Sequence, residues 1–149
     1  MSDHWLRFAP VDPSFQPSVA ASKTAERLLA AYLPEADNIR SEFTAQPAFI
    51  DPGGNWSGVL CSACGEDAEP WWSAAVSAAF EADFSNLTVR AACCGAAVSL
   101  NDLRYLWPAA FARYVLEAMN PNVKALSASQ LERLASTIGC DIREISAHL

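Results

Sequence analysis

The sequence predicts an α+β domain spanning residues 1–149, with a mostly antiparallel sheet, helices on one face and zinc-ribbon-like cysteine turns embedded in it. Three observations carry that prediction. Short β-prone runs and amphipathic stretches are interleaved along the chain, but not as the regular βαβ repeat of a parallel sheet. Proline and glycine mark the boundaries between them. Two cysteine-glycine groups, Cys61–Gly65 and Cys93–Gly95, follow directly on predicted strands.

Trp5 to Phe8 alternates apolar and basic residues, which suits a short strand. Pro10, Pro13 and Pro17 then mark a loop. Ser22 to Leu33 reads as a helix with Ala25, Leu28, Leu29 and Tyr32 on one face, closed by Pro34. Ile39 to Ile50 is β-prone but contains Pro47, which cannot donate to a central ladder, so two short pieces or an edge strand are expected. Asp51 to Asn55 is a turn before a strand over Trp56–Leu60. Pro70 suits the first position of a helix reaching about Ala82. Leu87–Ala92 and Ala96–Leu100 read as a strand and its return. Ser99 with Asp102 resembles a capping box. Behind it, the stripe Trp107, Phe111, Tyr114, Val115 and Ala118 predicts a helix over Pro108–Met119, with Pro108 breaking it from the turn before. Ser129 with Glu132 forms a further capping box ahead of a helix that ends at Gly139. Asp141 to Leu149 closes the fold as a last strand.

Composition narrows the function classes. Apolar residues make up 52% of the chain and charged residues 18%, ample material for a core. The start of the chain lacks a basic segment followed by an apolar one, and no apolar run approaches the roughly 20 residues needed to cross a bilayer. A soluble, cytoplasmic protein is expected. The net charge of −7 repels phosphate backbones, so neither nucleic acid nor a membrane is an expected partner. A basic protein is electrostatically easier.

Five cysteines, an odd number with no leader sequence, argue against a disulfide framework. In Cys61-Ser-Ala-Cys64-Gly65 two thiolates in one tight turn can reach one metal, and the glycine permits positive φ. Cys93-Cys94-Gly95 supplies a second pair, and four sulfurs from two turns suit tetrahedral zinc. The second pair is irregular: Ala91 stands where a matching turn would carry its first cysteine. Both adjacent cysteines can ligate, or one can with Cys140, His148 or His4 completing the set, or the site can be vestigial. Cys140 itself suits the core. A thioredoxin-like redox pair would want its C-x-x-C at a helix start. Here Cys64 is followed by Gly65, Glu66 and Asp67 before Pro70.

Trp71 and Trp72 open a predicted helix. Successive helical residues lie about 100° apart, so one indole is expected to remain accessible as a partner-binding anchor beside Glu66, Asp67 and Glu69. His4 and His148, the two histidines, lie near opposite ends of the chain without a catalytic neighbour in sequence. No phosphate-binding loop, nucleophile elbow, dinucleotide fingerprint or H-E-x-x-H motif is present.

Gly53-Gly-Asn-Trp56, Cys61-x-x-Cys64-Gly65, Trp71-Trp72, Cys93-Cys94-Gly95, Ser99-Leu-Asn-Asp-Leu103 and Trp107-Pro-x-x-Phe-Ala-Arg113 follow one another in order, with Gly139-Cys140 to His148 at the end. This order resembles a family of small bacterial proteins with a CxxCG…CCG cysteine pattern. The resemblance implies a bacterial cytoplasmic protein and a deliberate cysteine pairing; it implies no activity.

Two readings of function follow. One is a non-enzymatic, zinc-stabilised domain that binds a protein partner, in one form an immunity-type protein masking a basic toxin. The other is a metal- or thiol-dependent enzyme using the Cys61/Cys64/Cys93/Cys94 cluster. Three ligands with an open position would favour the second, a closed four-sulfur site the first.

Overall fold

A computed structural model describes residues 3–149. In chain order the elements are β1 (His4–Pro10), α1 (Val19–Tyr32), β2 (Asn38–Ile50), β3 (Val59–Leu60), α2 (Glu69–Glu81), β4 (Thr88–Arg90), β5 (Ala97–Ser99), a 3-10 turn (Leu100–Asp102), β6 (Arg104–Tyr105), β7 (Ala110–Met119), α3 (Ala128–Ile138) and β8 (Ile142–His148).

Local signals set the helix ends. The Ser18 hydroxyl accepts from the Ala21 amide and starts α1. The capping box of α3 is Ser127 with Gln130, two residues ahead of the Ser129–Glu132 pair expected from the sequence. Gly139, at φ +99°, closes α3 in the left-handed region. Ala25 and Leu29 of α1 and Leu134 and Ile138 of α3 bury one face against Leu6, Phe8, Tyr114, Leu116 and Ala118. Both helices therefore cover one side of a four-stranded antiparallel sheet, ordered β2-β7-β1-β8. That order with βαββαβ connectivity is the split β-α-β arrangement. The fold is α+β, as the sequence predicts.

Two elements show how tertiary context acted. β2 is an edge strand, and it loses register between Phe43 and Ala48, around Pro47. This is where a residue without an N–H is tolerated. The segment predicted as a helix over Pro108–Met119 is instead β7, a central strand. Its apolar stripe came from burial on both faces, not from one helical face: nearly every residue from Ala110 to Ala118 is buried. A strand covered on both sides loses the alternation that reveals it in sequence.

Residues 51–109 form an insertion between β2 and β7. It carries two two-stranded pieces, β3-β6 and β4-β5, together with α2. Its core of Val59, Ala68, Ala91, Leu100 and Leu103 reaches the main sheet through Phe111 and Phe49. Asn101, buried, fastens the junction: its side chain donates to the Val11 carbonyl at 3.0 Å and accepts from the Phe111 amide at 2.8 Å. Arg143 of β8 adds bonds to the carbonyls of Asn101 and Ala109.

Candidate metal centre

Two hairpin tips in the insertion share one backbone pattern. In the first, the Cys61 amide donates to the Glu66 carbonyl at 2.8 Å and the Gly65 amide to the Cys61 carbonyl at 2.9 Å. In the second, Ala91 donates to Ala96 at 2.8 Å and Gly95 to Ala91 at 2.7 Å. Gly65 and Gly95 have φ of +77° and +75°, with open space beside each. Glycine is therefore needed for the backbone angle and not for room.

The correspondence aligns Cys61 with Ala91, Ala63 with Cys93, and Cys64 with Cys94. Cys61 and Ala91 are both fully buried. The second turn thus has its first thiol moved from the buried base of the turn to its exposed tip, at Cys93. That shift explains how adjacent cysteines reach one point.

The four sulfurs of Cys61, Cys64, Cys93 and Cys94 lie within 4.8 Å of one another. Cys61 Sγ is 3.9 Å from Cys94 Sγ, and Cys64 Sγ is 3.3 Å from Cys93 Sγ. A disulfide needs about 2.05 Å, so these are free thiols. Tetrahedral zinc with bonds of about 2.3 Å would set its sulfurs about 3.8 Å apart, close to what is present. The cluster has the donor type and spacing to hold a metal ion.

The thiols differ in acidity. The Cys64 amide, bonding to the Cys61 sulfur, outweighs burial and lowers Cys61 to about 7. Cys93 is pushed up to about 12, chiefly by loss of solvent and then by its thiol neighbours. Cys94 accepts from the Ala96 amide, yet desolvation and its neighbours raise it overall. One thiol ionises readily while others keep their protons, so metal binding must displace protons and grow stronger as pH rises.

The remaining expected candidates lie elsewhere. Cys140 is half-buried at the end of α3 and outside the cluster. His4 and His148 face each other across the β1–β8 pairing and stack with centroids 5.3 Å apart, an association their positions in sequence hide.

Neither Trp71 nor Trp72 is fully exposed; both are half-buried against the insertion core. Trp72 packs at a tilt against Trp56, with ring centroids 4.9 Å apart, and against Phe49 at 5.4 Å, and its Nε1 donates to the Tyr105 hydroxyl at 3.1 Å. Trp71 has a buried Nε1 with no partner among the described residues. Both indoles lean on the same core cluster while Glu69, Pro70, Ser73 and Ala74 around them are exposed, so each keeps part of its surface accessible. The exposed large apolar side chains of the insertion are Phe80 at 66%, Leu106 at 55% and Trp107 at 42%.

No protein-family model, curated protein or solved structure matches the chain. No helix among the described residues is long and apolar enough to cross a membrane.

Proposed function

We propose that Cys61, Cys64, Cys93 and Cys94 bind zinc, and that the chain is a non-enzymatic, zinc-stabilised domain that recognises a protein partner. The observation that supports this most is the closure of the cluster: four sulfurs from two hairpin tips lie within 4.8 Å. Four thiolates are a soft, complete set for zinc and leave no open position for a substrate. Zinc bound there would join the tip after β3 to the tip between β4 and β5. Those strands are two or three residues long, too short to be stable by pairing alone.

The partner is a basic protein surface. The net charge is −7, and Glu69 stands beside an aromatic hollow of about 250 Å³ lined by Trp56, Trp72 and Ser73. Leu106 and Glu69 both close on Gly58 next to it. Half-buried tryptophan with an apolar neighbour and an acidic rim suits an anchor site. Trp71, next to Trp72 in sequence and also half-buried, is the second tryptophan assigned to partner binding, and an immunity-type protein masking a basic toxin is one form of the reading.

The competing enzymatic reading draws on the lowered Cys61 thiol. Against it, Cys61 is wholly buried, and a cleft of about 620 Å³ elsewhere is lined by none of the four cysteines.

Native mass spectrometry with metal analysis tests the centre: one zinc per chain is expected, absent from Cys61→Ser. A metal-free mass in zinc-replete protein would end the reading. Pull-down from the native host with wild type and Leu106→Glu tests the surface. Equal capture by both would rule out this surface.

A further inference from the structure

Arg113 lies on β7 where its neighbour leaves the ladder. Phe43 pairs with Tyr114 and Ala48 with Ala112, so residues 44–47 of β2 stand opposite Arg113 alone. Bulges of this kind re-aim side chains and recur beside binding sites. Gln16 props this one: its Nε2 donates to the carbonyls of Thr44 at 2.8 Å and Arg113 at 3.1 Å.

The Arg113 guanidinium is under-used. Its Nη1 reaches the Ser14 carbonyl at 3.3 Å. Its Nε is buried without a partner, and it joins no ion pair, among the described residues.

Facing it is the loop after α2. Asp83 and Phe84 both have positive φ, 55° and 54°, which residues with side chains rarely adopt outside functional or tightly constrained sites. The Phe84 ring is held in the core 5.1 Å from Phe111, which fixes Asp83 at the rim. Between these walls is a cleft of about 620 Å³, within the usual size of a small-molecule site.

We propose that this cleft binds an amino-acid-type zwitterion, its carboxylate on Arg113 and its ammonium facing Asp12 and Asp83. The planar guanidinium fork matches a carboxylate. Asp12 and Asp83, both lining the cleft, oppose a polyanion such as phosphate and supply the countercharge for an ammonium. Pro13, Pro47 and Leu87 offer an apolar wall for the ligand's side chain.

The test is a titration of the ¹⁵N-labelled, zinc-replete full chain with four probes: L-phenylalanine, L-phenylalaninamide, 3-phenylpropionate and inorganic phosphate. Saturable shifts at the Ser14, Gln46 and Asn86 amides are expected with L-phenylalanine. Binding should be at least about tenfold weaker for the amide, which lacks the carboxylate, and for phenylpropionate, which lacks the ammonium. Arg113→Lys keeps the charge but loses the fork, and should weaken L-phenylalanine about tenfold. Ser85→Trp places a large indole on the lining of the cleft while leaving Arg113 unchanged in sequence, and should abolish the shifts in a folded protein. The proposal is overturned by no saturable shift at millimolar probe, by equal binding of phosphate or phenylpropionate, or by undiminished binding in Ser85→Trp.

Discussion

Arg7 Nε donates to Glu117 Oε2 at 2.8 Å across the β1–β7 pairing, and the Glu117 side chain has no exposed surface. From the other side, Arg40 Nε reaches Oε1 at 3.2 Å. Two neighbouring strands thus make a buried carboxylate tolerable at the centre of the sheet. Glu117→Ala would leave Arg7, 13% exposed, without its countercharge, at a cost of about 3–5 kcal/mol. Arg40 is 53% exposed and also lies over the Trp5 ring; Arg40→Ala should cost no more than about 2 kcal/mol. Urea unfolding of both variants checks this, and equal losses would contradict it.

Metal removal should unfold the insertion before the main sheet. A chelator is expected to lower the melting temperature of wild type markedly and that of Cys61→Ser little, because metal-binding energy is also folding energy. Cys140→Ser, outside the cluster, should behave as wild type. Thermal melts with and without chelator measure it.

The equivalence of Ala91 with Cys61 predicts a rescue. Cys93→Ala alone should lose zinc or hold it far more weakly. Ala91→Cys added to Cys93→Ala rebuilds a regular C-x-x-C turn with its first thiol at the buried base, and should restore one zinc per chain. Competition with a colorimetric chelator compares the three proteins; a double variant as weak as Cys93→Ala would refute the equivalence.

Two groups should set opposite pH slopes. Burial and then the nearby His148 lower the His4 pKa below 6.5. The unfolded chain therefore binds the proton first, and stability falls as pH drops from 6.5 through the folded value. His148→Ala should flatten that fall. Burial raises Glu144 above 4.5, offset by the Leu126 amide it accepts from. Its contribution is complete below 4.5 and lost as pH rises through the folded value. Glu144→Gln, whose amide oxygen can still accept from Leu126, should therefore stabilise the protein at neutral pH but not near pH 4. Denaturant melts across pH read both slopes.

The parts of this protein that its sequence determined are those whose physics is local. A glycine after each cysteine group makes the two turns, Gly139 terminates α3, and Pro47 keeps β2 at an edge. Each effect acts within a few residues, so it can be read one segment at a time. Tertiary structure decided the rest. It made Cys93 converge with Cys64, because the two tips are distant in sequence and only the insertion core they share brings their sulfurs within 4.8 Å. It brought His4 to His148 and leaned both tryptophans of α2, half-buried, on one core cluster. Most of all it made β7 a strand: a run rich in Ala, Leu, Glu and Met favours a helix by itself. Pairing with β1 and β2 on both edges, and the arginines those strands place around Glu117, outweighed that preference.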